Sequence, residues 1–167
     1  MAAGSALSGK TQTNIFFEYS GDSGLIVTPK TPISINESIT WTFGTGDNQV
    51  NVLWQDSRST DDTGETLALF DGALTDIYGN TMTIANMKIL YVKNTHATLI
   101  LELFGNTSLD WLIVSGTTDA VEIKPGGHFL FIAPTAAGVD LSTNKNLFIA
   151  STTAATITYD ILVAGLD

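Results

Sequence analysis

The chain has 167 residues, one ordinary domain's worth and too short for two full cores. Apolar residues make up 44% of it and charged residues only 14%, against about a quarter charged in an average soluble domain, so uncharged Thr, Ser, Asn and Gly cover the surface, which suits sheets rather than a helical bundle. A net charge of −10 with seven basic residues and no basic stripe excludes nucleic acid and anionic membrane as partners, since phosphate binding takes Lys and Arg, and the absence of cysteine excludes disulfides, thiolate catalysis and Cys-based zinc sites.

Met1 to about Thr13 is small and polar and reads as a flexible or interacting N-terminal arm. It lacks the charged start and apolar core of a signal peptide. No apolar run approaches a membrane span, so the expectation is a soluble product made in a cytoplasm. Ile15–Tyr19 is a short predicted strand ended by the turn cluster Ser20-Gly21-Asp22-Ser23-Gly24. Ile33, Ile35, Ile39, Trp41 and Phe43 then share one parity, and Ser34, Asn36, Ser38, Thr40 and Thr42 the other. That is the alternation of a strand with one buried face. Glu37 interrupts the buried face and predicts a bend or bulge.

Val50–Gln55 is the next predicted strand, followed by a polar loop from Ser57 to Gly64 and a strand at Glu65–Phe70. Asp71-Gly72 is a turn, and Leu74–Asn80 reads as a loop with a short helical turn at most. In Thr81–Lys93, Met82 and Ile84 share one parity while Met87, Ile89 and Tyr91 share the other. The slip at Ala85-Asn86 predicts a β-bulge, because one extra residue exchanges the faces. Further strands are predicted at Ala97–Phe104, Trp111–Val114, Ala120–Lys124, His128–Ala133, Leu147–Ser151 and Ala155–Val163, with Gly, Pro and Asn punctuation between them. The expected fold is an all-β antiparallel sandwich, jelly-roll-like, with residues 1–13 as the arm and residues 14–167 as a single sandwich domain.

No catalytic motif emerges. His96 and His128 have no partner at a local metal-ligand spacing, and no serine triad can be assembled. Asp110 with Glu102, or Asp56 with Asp61, could form the carboxylate pair of a glycosidase, although an acidic chain offers such pairs by chance. Neither a calcium loop nor a phosphate loop is complete, and no cofactor or metal is expected. Trp41, Trp54 and Trp111 could form a stacking platform for sugars; Trp41 lies in phase with a buried face, while Trp54 and Trp111 border turns or polar loops. Asp56 and Arg58, the sole arginine, fall on the same side of a continuous strand, where Arg58 meets either a carboxylate of its own chain or a neighbouring subunit.

An ordered series carries further information. It runs Gly44-Thr-Gly, Trp54-Gln-Asp-Ser-Arg58, Leu74-Thr-Asp-Ile-Tyr-Gly79, the Lys-containing strand Met87–Asn94, Pro125-Gly-Gly127 and the tail Thr158-Tyr-Asp-Ile161. From about Thr42 to the C-terminus the chain resembles a family of small phage and prophage structural proteins encoded among head genes. That resemblance implies a virion component without enzymatic activity, made in the host cytoplasm.

The leading expectation is a capsid decoration protein, a homotrimer that binds the major capsid protein, with Trp54, Asp56 and Arg58 as candidate subunit-interface residues. A receptor- or carbohydrate-binding module of a fibre or spike is the second reading, and a sandwich glycosidase the third.

Overall fold

The computed structural model describes residues 7–20, 30–72, 74–76, 79–105, 120–142 and 146–167. Among them the chain is all β, with fourteen antiparallel strands and no helix. It divides into two compact units, Met1–Thr42 and Phe43–Asp167. The boundary lies well beyond the expected 13/14 division, because Gly9–Thr13 is already part of a strand whose partner ends near Thr42.

The first unit is a long hairpin. Strands β1 (Gly9–Ser20) and β2 (Lys30–Phe43) pair without interruption from Gly9 opposite Trp41 to Ser20 opposite Lys30. Odd-numbered residues of both strands share one face, which carries Thr11, Ile15 and Phe17 beside Ile33, Ile35, Ile39 and Trp41. Trp41 Nε1 donates to Thr11 Oγ1 at 3.0 Å, tying the two strands at the open end. Two expectations are corrected here. Glu37 sits in regular register opposite Thr13 with no bulge, and Ile33 and Ile35 are exposed rather than buried. The second observation explains the first, since a carboxylate on a solvated face has no desolvation cost for a bend to relieve.

The second unit contains β3 (Gln49–Val50), β4 (Val52–Thr60), β5 (Glu65–Ala68), β6 (Leu74–Thr75), β7 (Thr81–Met82), β8 (Asn86–Asn94), β9 (Leu101–Gly105), β10 (Ala120–Ile123), β11 (His128–Ile132), β12 (Val139–Asp140), β13 (Asn146–Ser151) and β14 (Ile157–Leu166). One sheet runs β11-β8-β14-β4, with β12 also on β8, and the other runs β10-β9-β13-β5; β6 and β7 form a small ribbon. The pairings nest: β9 with β10, β8 with β11, β5 with β13 and β4 with β14. Cross-links β13–β9 and β14–β8 then gather the nest into two sheets.

Inward positions of both sheets build a single core. Val52, Trp54, Leu90, Val92, Tyr159, Ile161 and Val163 of one meet Leu67, Leu101, Leu103, Ile123, Leu147 and Ile149 of the other. This is a β-sandwich, as the alternation predicted.

Several boundaries differ from expectation for physical reasons. Ser57–Thr60 is strand rather than loop, since Ser57 and Ser59 occupy outward positions of β4 while their backbones pair with β14. The predicted bulge is displaced: Ala164 faces Ile89 but Gly165 faces Met87, which leaves Lys88 as the extra residue. Ala97–Ile100, expected as the start of a strand, is irregular because side chains cap its backbone. His96 Nδ1 accepts from the amides of Thr98 and Leu99 at 3.2 and 3.0 Å, and Asn94 Nδ2 donates to Leu99 O at 2.8 Å. The predicted strand Trp111–Val114 and residue Asp110 lie outside the described residues.

Candidate functional site

The sequence singled out Trp54, Asp56 and Arg58, which fall in succession on the inward parity of β4, the edge strand of its sheet. That parity is buried at both ends, at Val52 and Trp54 and again at Thr60, and opens to water between them. Trp54 is 5% exposed and part of the core; it is not available as an interface side chain, because its neighbours Leu53 and Gln55 take the outward positions. Asp56 and Arg58 reach the rim.

Arg58 does not stand free. Its Nε and Nη2 donate to Glu65 Oε2 at 2.9 and 2.6 Å, and its Nη1 donates to Asp56 Oδ2 at 2.9 Å. Glu65 belongs to β5, the edge of the opposite sheet, and its Oε1 accepts the phenol proton of Tyr159 from β14. Nearby, Ser57 Oγ donates to Asp160 Oδ1 at 2.7 Å. The Arg58 side chain is 34% exposed and that of Glu65 only 19%. The ordinary intrachain ion pair is therefore what the structure holds, extended into a four-residue cluster.

The hydrogen bonds from Glu65 foremost, and from Asp56, raise the pKa of the Arg58 guanidinium despite the opposing effect of burial. Burial first, and then the bond to Glu65, raise the Tyr159 phenol well above its ordinary value. Both groups keep their protons throughout the neutral range. Arg58 is a fixed charge, and the cluster acts as a clasp between the two sheet edges.

No family model matches this chain, and no curated protein or solved structure shows significant similarity to it. Function therefore rests on the residues.

The other candidates are engaged in the fold. Asp61 Oδ1 accepts from the Thr63 amide at 2.9 Å and from the Thr63 hydroxyl, so it shapes its own turn rather than facing Asp56. His128 stacks against Tyr91 with ring centroids 5.6 Å apart, and His96 caps the loop described above. Of the tryptophans proposed as a sugar platform, Trp41 and Trp54 are both buried, and Trp111 lies outside the described residues. Among the described residues no group of three or more His, Cys, Asp or Glu is placed to hold a metal ion.

Two features escaped sequence reasoning. Lys88 is fully buried and donates through Nζ to Gly46 O at 2.7 Å. The Gly44–Asn48 loop above it is also fixed by the Asn48 amide on Pro134 O at 2.8 Å and by the Ala136 amide on Asp47 Oδ1 at 2.6 Å. Burial lowers the Lys88 pKa, with the charge of Asp47 opposing. The second feature is a carboxylate pair: Glu102 of β9 stands directly opposite Glu122 of β10. Burial, and then the Glu122 charge, raise the Glu102 pKa. Both residues lie in strands that the sequence predicts, Ala97–Phe104 and Ala120–Lys124, but the pairing and register that bring them together could not be read.

Proposed function

We propose that the chain is a non-enzymatic virion structural protein of a tailed phage, a decoration protein that binds the assembled head as a homotrimer on the major capsid protein. The observation that carries the reading is the first hairpin. Among the described residues, Ile15, Phe16, Phe17, Ile33 and Ile35 are five of the seven large apolar side chains left exposed. An apolar concentration of this kind on one element marks a surface that another molecule covers. The nested strand pairing of the second unit supports a jelly roll, a fold common in viral coats. The ordered motifs from Gly44 to Ile161 support the phage assignment.

The mechanism is mass action: a protein that binds the assembled shell and not its dissociated parts stabilises the shell. A cyclic trimer matches the symmetry axes such a shell presents. The interface role first expected of Asp56 and Arg58 reduces to the rim of the clasp, where Asp56 is 44% exposed; the hairpin becomes the main contact element.

The test mixes the purified chain with undecorated heads of the phage that encodes it, and separately with the same heads dissociated into subunits. Pelleting with the heads alone, together with a higher disruption temperature of the shells, is the expected result. Full recovery in the supernatant from both mixtures removes the reading.

A further inference from the structure

A two-stranded hairpin is at best marginally stable in water on its own, yet β1 and β2 run for twelve and fourteen residues in unbroken register. Its odd-numbered face places Ile15 directly opposite Ile35, and Phe17 directly opposite Ile33. These four side chains are 40%, 47%, 65% and 53% exposed respectively. The even-numbered face bears Gln12, Asn14, Glu18, Ser34, Asn36 and Ser38, with Phe16 as its one large apolar residue. The odd-numbered face thus carries an open apolar patch at the rows Ile15–Ile35 and Phe17–Ile33, bounded in the next row by Thr13 and Glu37.

We infer that this odd-numbered face is seated against the same face of the hairpin from another copy of the chain. The face is self-complementary, being two aliphatic–aliphatic or aromatic–aliphatic cross-strand pairs in adjacent rows. Its area is sufficient. With roughly 170 Å² for each large apolar side chain, the four exposed fractions leave about 350 Å², so two copies bury about 700 Å². The smallest stable interfaces bury about 1,200 Å² in total, of which a little over half is apolar, again about 700 Å².

Charge points to the same occupant. Residues 1–42 carry two lysines against Glu18, Asp22 and Glu37, so nearly all of the −10 net charge belongs to residues 43–167. The hairpin is itself nearly neutral, so two copies of it meet with little mutual repulsion. In a closed cyclic assembly the apolar faces converge on the axis. This names the surface for the self-association proposed above; its test reads mass and cross-links rather than capsid binding, so either proposal can fail alone.

The experiment is sedimentation of the full chain and two sets of variants. The wild type is expected at a whole multiple of its 17.7 kDa mass. The double variant Phe17→Ser/Ile35→Ser is expected at the monomer mass, with strand circular dichroism and the emission of buried tryptophan retained, and Phe16→Ser on the opposite face at the wild-type mass. A monomeric wild type, or a folded double variant of wild-type mass, overturns the inference. The chain has no cysteine, so single cysteines give an independent reading without background should the double variant misfold. Under mild oxidation Phe17→Cys or Ile35→Cys should yield a disulfide-linked pair of chains while Phe16→Cys stays single; equal linking on both faces, or none on the odd face, overturns it.

Discussion

Arg58 and Glu65 stand on the edge strands of opposite sheets, and their ion pair joins those edges where the sandwich is open. Glu65 also accepts from Tyr159, so one carboxylate on β5 satisfies donors from two other strands. Replacing Glu65 by Ala leaves two guanidinium donors and a buried phenol without their acceptor. Breaking a fully buried pair costs about 3–5 kcal/mol and an exposed one at most about 1 kcal/mol; for this half-buried cluster the expected loss is about 2 kcal/mol in urea unfolding. The pair Lys124–Glu122, whose side chains are 63% and 48% exposed, provides the contrast: Lys124→Ala should change stability by no more than about 0.5 kcal/mol. Equal effects at the two sites would show that the clasp contributes nothing beyond a surface pair.

Two buried groups push alkaline stability in opposite directions. Lys88 has a folded pKa below its ordinary 10.5. Between that lowered value and 10.5 the unfolded chain binds more protons than the folded one, so stability rises with pH. Tyr159 has a folded pKa above its ordinary 10.0. Its contribution is complete below pH 10 and is lost as pH rises further, because the unfolded chain then gives up a proton the folded chain retains. Lys88→Met should abolish the rise, and Tyr159→Phe the fall. At neutral pH Lys88→Met should lie within about 1 kcal/mol of wild type, since removing a buried charge offsets the lost bond to Gly46. Urea midpoints followed across the alkaline range test both; a rise that survives in Lys88→Met would assign it to another group.

At the acid end the informative pair is Glu102 and Glu122. Like charges directly opposite on neighbouring strands repel, and Glu102 is half-buried as well. Its folded pKa lies above the ordinary 4.5, so the stability it contributes is full below that value and lost as pH rises through the folded pKa. Glu102→Gln should therefore be more stable than wild type at neutral pH, by about 0.5–1 kcal/mol, and should lose the gain that wild type shows on acidification. Thermal melts across the acid range check this; a less stable Glu102→Gln would mean that the carboxylate has a favourable partner.

What could be read from sequence was whatever depends on side-chain alternation within one strand. The clean parity of Ile157, Tyr159, Ile161 and Val163 predicted β14, and all four belong to the core; in β8 the parity read for Ile89 and Tyr91 is not the inward one, which Leu90 and Val92 occupy. Parity does not say whether an apolar face is covered, which is why Ile33 and Ile35 were read as buried although the hairpin leaves them open. It also carries no register. The meeting of Glu102 with Glu122, and of Arg58 with Glu65, depends on which strands become neighbours. Loop chemistry was legible only in part: Gly44-Thr-Gly stands out as a motif, but nothing near it in sequence marks Lys88 as the group that holds it.

Gly165 gives the sharpest test of the bulge. It lies on β14 opposite Met87, at the point where the register with β8 shifts. A Cβ there would stand 2.1 Å from Asn86 O and 3.1 Å from Ile84 Cγ2. The first obstacle is backbone, so it cannot swing aside as a side-chain tip would. Asn86 is further held by the bond from its Nδ2 to Ala137 O at 2.9 Å. Relief requires β14 to separate from β8 at this end, and Gly165→Ala should cost about 2–3 kcal/mol, in the range of overpacked cores. Gly126 supplies the comparison: its φ is +70° and a Cβ would meet nothing within 4 Å, so Gly126→Ala should cost only the left-handed penalty of about 1–2 kcal/mol. Hydrogen exchange locates the damage, because the Asn51 amide donates to Gly165 O and the Ala85 amide to Leu166 O. Both amides should exchange faster in Gly165→Ala while those in the middle of β14 remain protected. Uniform acceleration along β14 would mean that the bulge is coupled to the whole strand rather than confined to its end.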